Sequence, residues 1–230
     1  MQNVAEHIVS GFDEELNMLS TTIAQLGGVV ETMVADSVKS LKTRDDDLAN
    51  SVIERDRQAN LLQEKIDDDA MRIFALRHPM ATDLRRVIGS IKVATDLERV
   101  GDLAEGIARR ALTVNESESL ALAKGVTRMG KLVKSQLKES LDAFLTDNVK
   151  KAKHVWLGDE DVDEMYNSLF RELLTYMMED PRTISSSAGL LFAAKNLERI
   201  GDHATNIAET IYFIVEGTPL TFEKAKQVES

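Results

Sequence analysis

One segment of the chain occurs twice, and this duplication constrains the fold more than any single motif. Residues 96–109 read DLERVGDLAEGIAR, and residues 196–209 read NLERIGDHATNIAE. Each copy holds two acids four positions apart with a glycine directly before the second acid, 100 residues from its counterpart. A repeat of this length predicts two copies of one structural unit, packed side by side.

The unit is predicted to be helical. Apolar residues recur every three or four positions, and alternating runs bounded by turn residues are absent. Only three prolines occur, which favours long helices. Breaks are expected at residues 43–47, 77–83, 114–119, 145–148 and 179–183, which leaves six helices of about 27 to 36 residues.

Two of these helices show their buried faces clearly. The apolar stripe of the first helix contains Leu16, Leu19, Ile23, Leu26, Val30, Met33, Val34, Val38 and Leu41. The stripe of the last helix contains Leu197, Ile200, Ala204, Ile207, Ala208, Ile211 and Val215. Both stripes are expected to face the interior of a bundle.

The second helix of each half repeats as well. Asp56 aligns with Asp159 and Asn60 with Asp163, and a proline, at position 79 or 181, ends each segment. The predicted fold class is therefore all-α, with two pseudo-repeated three-helix bundles. We place the N-terminal bundle at residues 1–114 and the C-terminal bundle at residues 115–230.

Composition excludes several classes of protein. The net charge of −11 argues against nucleic acid as a main partner, because neutralising phosphates needs a basic surface. The absence of cysteine excludes disulfides, thiolate metal sites and a cysteine nucleophile. No signal peptide and no apolar run of about 20 residues is visible, so we expect a cytoplasmic protein without direct membrane insertion.

The duplicated acids are expected on the flank or outer face of each bundle. Glu98 and Asp102 lie opposite the apolar stripe of their helix, as do Glu198, Asp202 and Glu209. Like charges at this spacing cost an isolated helix about 0.2–0.5 kcal/mol, and the mid-helix glycine costs about 1 kcal/mol more. A bound cation would offset the repulsion, and the glycine would let a neighbouring acidic helix approach closely.

The neighbouring helices supply the remaining oxygen atoms. Asp56 and Asn60, and in the second half Asp159 and Asp163, lie at the edge of their apolar faces. Each half then offers about four oxygen donors, a set that suits magnesium, manganese, calcium or iron, whereas zinc usually prefers histidine or cysteine. His203 adjoins only the second motif, so we expect it on the surface or behind the ligands.

Two other interpretations of the acids stay open. They could form a solvated face that binds cations only adventitiously, or a two-metal phosphohydrolase site. Against an enzyme, the chain contains no His-Glu-x-x-His, no glycine-rich phosphate loop and no Gly-x-Ser-x-Gly sequence. Nor does it contain the Glu-x-x-His of di-iron proteins.

The motifs resemble the PhoU family of phosphate-transport regulatory proteins. The similarity lies in DLERVGDLAEGIARR, in NLERIGDHATNIAETIYFIVEG, and in GDEDVDEMYNSLFRELLTYMMEDPRTI. It implies two similar three-helix bundles with multinuclear clusters of divalent or trivalent metals: iron, manganese, zinc or magnesium. The ligands it implies match Glu98, Asp102, Glu198, Asp202, Asp56, Asp159 and Asp163; Asn60 departs from the aspartate that the repeat suggests, which predicts a less charged first cluster.

The resemblance also implies a function. Proteins of this family are regulators rather than enzymes, and they restrain the phosphate-starvation response and phosphate uptake. The implied partners are the ATPase subunit of the phosphate ABC transporter, a sensor histidine kinase and a second copy of the chain in a homodimer. The expected location is the cytoplasm, with peripheral attachment to the inner membrane through those partners.

Overall fold

The computed structural model describes residues 2–114 and 123–226, with side chains from residue 12 onward. Every element in these ranges is helical, which confirms the all-α prediction. The helices are α1 (Gln2–Thr43), α2 (Asp46–Arg77), α3 (Ala81–Val114), α4 (Ala123–Thr146), α5 (Val149–Leu157), α6 (Asp159–Glu179), α7 (Ile184–Glu216) and α8 (Phe222–Lys226), with a short 3₁₀ turn at Pro181–Thr183.

The first bundle consists of α1, α2 and α3, and the second of α4, α5 with α6, and α7. The predicted stripe of α1 is buried from Leu19 to Leu41, and that of α7 is buried except at Val215, which is 39% exposed. The prediction for Val215 was wrong because this residue lies in the last turn of α7. The helix ends at Glu216, and Gly217 then turns the chain away with a φ of 71°.

Four of the five predicted breaks coincide with helix ends. Asp45 caps α2 by accepting a hydrogen bond from the Leu48 backbone N–H, and Asn148 caps α5 in the same way through Lys151. The two capping residues are 103 positions apart, so the turn before the second helix is repeated along with the helices themselves. The fifth predicted break, at residues 114–119, begins where α3 ends at Val114, and its other residues lie outside the described ranges.

The predicted fifth helix is two helices in the structure. Gly158 separates α5 from α6, and its backbone N–H bonds to the carbonyls of His154 and Val155. Its own carbonyl accepts a hydrogen bond of 2.6 Å from Gln136. Asp159 therefore begins a helix, whereas its counterpart Asp56 lies inside the unbroken α2. The short α8 was not predicted either.

The two bundles interlock with approximate two-fold symmetry. A Cβ atom at Gly27 of α1 would lie 2.6 Å from Leu141 of α4, and one at Gly130 of α4 would lie 2.7 Å from Val38 of α1. The two contacts are equivalent in the repeat, because the 103-residue offset that relates the caps takes Gly27 to Gly130 and Val38 to Leu141. Glycines also allow α3 and α7 to pack closely, since Gly89 lies against Ile214 and Gly189 against Val114.

The α3–α7 pair also carries polar contacts between the bundles. His203 Nδ1 lies 2.9 Å from Asp96 Oδ1, and Asn196 donates a hydrogen bond of 3.2 Å to the Leu103 carbonyl. His203 therefore joins the bundles. The domain boundary expected between residues 114 and 115 falls where the described range stops, and it stays a prediction.

Within the described residues, none of the helices combines the length and the apolar content needed to cross a membrane.

The interlocked glycines lead to a stability prediction that compares two neighbours in α1. Gly27→Leu is expected to destabilise the protein by about 1–3 kcal/mol, because the new side chain overpacks the contact with Leu141. Gly28→Leu is the matched control: nothing lies within 4 Å of a Cβ there, so the higher helix propensity should stabilise by up to about 1 kcal/mol. Denaturant unfolding of both variants measures the difference, and equal stabilities would contradict the interlocked interface.

Candidate acidic clusters on the two repeats

The structure gathers the predicted acids into two groups, one on each repeat. The first acidic cluster comprises Asp56 and Asn60 of α2 with Glu98, Asp102 and Glu105 of α3. The second acidic cluster comprises Asp159 and Asp163 of α6 with Glu198, Asp202 and Glu209 of α7. In both clusters, besides loss of solvent, charges on one helix raise the pKa of acids on the other: Asp56 and Glu98 in the first cluster, and Asp159 and Asp202 in the second.

Burial and like charge act together in the first acidic cluster. The pKa of Asp56 is raised by loss of solvent and then by the charges of Glu105 and Asp102. The pKa of Glu98 is raised by loss of solvent and then by Asp102. The motif glutamates are less exposed than their position opposite the apolar stripe suggests, since the side chains of Glu98 and Glu198 are 22% and 13% exposed, whereas that of Asp102 is 41% exposed. The folded chain holds these carboxylates in surroundings that disfavour negative charge.

Two oxygens of the first acidic cluster are buried without a partner. Asn60 Nδ2 donates a hydrogen bond of 3.0 Å to Asp56 Oδ2, which leaves Asp56 Oδ1 and Asn60 Oδ1 unpaired. A buried acceptor without a donor is costly. Arg99 compensates part of the charge, since its guanidinium lies 3.4 Å from Glu98 and 3.1 Å from Asp102.

The second acidic cluster shows the same electrostatics. Loss of solvent raises the pKa of Asp159, and Thr205 opposes this with a hydrogen bond of 3.2 Å. Loss of solvent also raises the pKa of Asp202, followed by the charges of Glu198 and Asp159. Glu198 bonds to Lys195 through Oε1, while its other oxygen, Oε2, is buried without a partner.

The motif glycines border these clusters. A Cβ at Gly101 would lie 3.6 Å from Asp56 Oδ1, and one at Gly201 would lie 3.3 Å from Val162. The expected close approach of the acidic helix is therefore present. The need for glycine at these two positions is weaker than expected. A side chain at Gly101 would make an ordinary contact at 3.6 Å, and one at Gly201, at 3.3 Å, would need a shift of only a few tenths of an ångström.

The donor chemistry of both clusters fits a hard cation, since carboxylate and amide oxygens with unpaired lone pairs are its usual ligands. In the part of the chain that the structure describes, no three His, Asp or Glu side chains already converge on one metal position. Ligation by the eight predicted residues stays a prediction.

Glu105, a member of the first acidic cluster, was not predicted from the sequence. It lies three positions after Asp102 and seven after Glu98, so it shares their side of α3. The same construction applied to α7 does include Glu209, which accepts a hydrogen bond of 2.8 Å from Trp156. Extending the helical projection of α3 by one turn would have found Glu105.

The fold and the clusters define a class: a duplicated three-helix-bundle protein with one acidic cluster on each repeat. The PhoU domain matches residues 23–111 and 126–211. The chain is 48% identical over 224 residues to a phosphate-specific transport system accessory protein PhoU homolog of Caulobacter vibrioides, covering 97% of both chains. It is 38% identical over 215 residues to the phosphate-specific transport system accessory protein PhoU of Escherichia coli, covering 94% of this chain and 89% of the relative.

Solved structures agree with these relatives. The crystal structure of PhoU from Pseudomonas aeruginosa superposes with a TM-score of 0.85 at 41% identity, covering 90% of this chain and 100% of that one. The phosphate transport system regulatory protein PhoU from Streptococcus pneumoniae gives a TM-score of 0.84 at 30% identity, covering 92% and 100%. The chain belongs to the PhoU family.

The raised pKa values predict that these acids make the protein less stable as the pH rises, the reverse of the usual effect of a paired carboxylate. An acid whose folded-state pKa lies above its unfolded value of about 4 contributes stability at low pH, and this contribution is lost as the pH rises through the folded pKa. In chelator-treated protein, Asp56→Asn should therefore raise the melting temperature at about pH 7 more than at about pH 4. Glu54→Gln, an exposed change on the same helix, is the control. A gain independent of pH would contradict the electrostatic origin.

Proposed function

We propose that the protein is an accessory regulator of a phosphate-specific transport system. The observation that carries this proposal is the similarity to accessory proteins of that name over nearly the full length of the chain. In this proposal it restrains the phosphate-starvation response and phosphate uptake when phosphate is plentiful. It acts by binding, without catalysing a reaction.

The partners in this proposal are the ATPase subunit of the phosphate ABC transporter and a sensor histidine kinase. The protein would join them in the cytoplasm and reach the inner membrane only through them. The support is the name of the relatives, which places them as accessory proteins of a transport system. The homodimer implied by the family resemblance stays a prediction.

Each acidic cluster, we propose, binds divalent or trivalent cations. Support comes from Asp56 Oδ1, Asn60 Oδ1 and Glu198 Oε2, which are buried without partners, and from the mutual repulsion of the carboxylates. A cation would supply positive charge that stabilises the ionised acids. Glu98 and Asp102 with Asp56 and Asn60 would hold it in the first repeat; Glu198 and Asp202 with Asp159 and Asp163 would hold it in the second.

The metal content of purified protein tests this part of the proposal. Glu198→Ala with Asp202→Ala should lower bound metal to about half, because only one of two clusters is removed. Asp161→Ala with Glu164→Ala is the control, since these exposed acids of α6 lie on the side that faces α4. It should leave the metal content unchanged. Absence of metal after loading with iron, manganese, zinc and magnesium would leave the clusters as a solvated face.

The regulatory role is tested in cells and with purified partners. Deleting the gene should raise expression of phosphate-starvation genes in phosphate-rich medium, and the intact chain should restore repression. The purified chain should retain the transporter ATPase or the kinase in a pull-down. Unchanged gene expression in the deletion strain, together with no partner retained in the pull-down, would contradict the proposal.

The alternative function is metal-dependent phosphate-ester hydrolysis by the clustered acids. Steady turnover of p-nitrophenyl phosphate by manganese-loaded protein, abolished in Asp102→Ala, would establish it. A protein that acts only as a regulator should show no such turnover.

A further inference from the structure

A row of basic side chains lies along the outward face of α4, in a chain whose net charge is −11. Lys124, Arg128, Lys131 and Lys138 are exposed and lie on one side of the helix. No acid occurs between residues 123 and 138. This α4 basic row, defined by these four residues, spans about 21 Å at 1.5 Å per residue.

The row is not explained by ion pairs within the molecule. Neighbouring Lys134 lies 3.8 Å from Glu31 of α1, whereas the four residues of the row form no ion pair with the described part of the chain. Arg128 lines a cleft with Glu164 and Glu172 of α6 but pairs with neither. Like charges at this spacing repel one another, so the row costs the helix energy, and no ion pair within residues 12–114 and 123–226 offsets that cost.

The internal repeat supplies a comparison for the role of these charges in folding. The 103-residue offset that relates α1 to α4 also relates the row to neutral positions of α1: Thr21, Gln25, Gly28 and Ala35. α1 occupies the equivalent place in its bundle without these cations. The fold therefore does not require them, and their presence on one repeat only points to an interaction outside the chain.

A groove adjoins the N-terminal end of the row. Lys42 of α1 lines it together with Lys124 and Arg128, and Glu172 and Tyr176 of α6 form its other wall. Its volume is about 900 Å³. Lys42 thus extends the positive surface across the junction of the two bundles.

We propose that the α4 basic row is a docking surface for an acidic segment of a partner protein. The charge complementarity and the length of the row fit a segment with carboxylates spread over about 21 Å. A lipid surface fits less well, because the outward face between these residues presents Ser135 and no exposed apolar side chain to insert. This inference goes beyond the proposed function and does not depend on the acidic clusters.

Fluorescence anisotropy with a labelled peptide of about 14 residues, carrying glutamate at every third or fourth position among alanines, tests the proposal. The variant Lys124→Glu, Arg128→Glu, Lys131→Glu should bind the peptide at least about tenfold more weakly than the intact chain. The control Lys65→Glu, Lys150→Glu, Arg171→Glu has the same net charge and should stay within about twofold. Circular dichroism checks that both variants fold, and a lysine version of the peptide should prefer the α4 variant to the control.

Equal losses in the two variants would overturn the proposal, because they would reflect net charge alone. No binding of the peptide to the intact chain at low salt would also overturn it. Binding to phosphatidylglycerol vesicles, but not to the peptide, would reject the acidic segment and assign the row to a membrane. A dimer that dissociates only in the α4 variant would likewise reject a foreign partner and make a second copy the occupant.

Discussion

The structure depends on the interlocking of small residues with apolar side chains between the two bundles. Gly27 and Gly130 let α1 and α4 approach each other, and Gly89 and Gly189 do the same for α3 and α7. Because each contact has a counterpart under the repeat, the interface is formed twice by the same chemistry. The placement of α3 and α7 in turn sets the position of every motif acid, since both acidic clusters are built on these helices.

Much of this fold was predictable from local signals. The apolar stripe from Leu19 to Leu41 identified the buried face of α1, and residues such as Asp45 and Asn148 marked helix starts. The break at Gly158 was missed because its counterpart in α2 is continuous, although a glycine before three acids is a recognisable boundary. The apolar periodicity also wrongly predicted that Val215 is buried. Periodicity shows which side of a helix faces the core, but it does not show where along the helix the packing against neighbouring helices ends.

The site was predicted less completely than the fold. The sequence identified which acids share a side of each helix, and the structure brings them together across helices. Arg99 and Lys195 pair with Asp102 and Glu198 three positions along the same helices, so spacing alone would have found both ion pairs. It could not have found that Asp56 Oδ1 is left without a donor. That property depends on rotamers and on distances between helices, which the spacing of residues within one helix does not contain.

The break at Gly158 makes the two repeats mechanically unequal. In the first repeat, Asp56 and Asn60 belong to one continuous helix that extends well beyond them on both sides. In the second, Asp159 and Asp163 occupy the first turns of α6, directly after the joint. A rotation at that joint would move Asp159 and Asp163 relative to the acids of α7, whereas Asp56 and Asn60 share one rigid helix with the residues on either side of them.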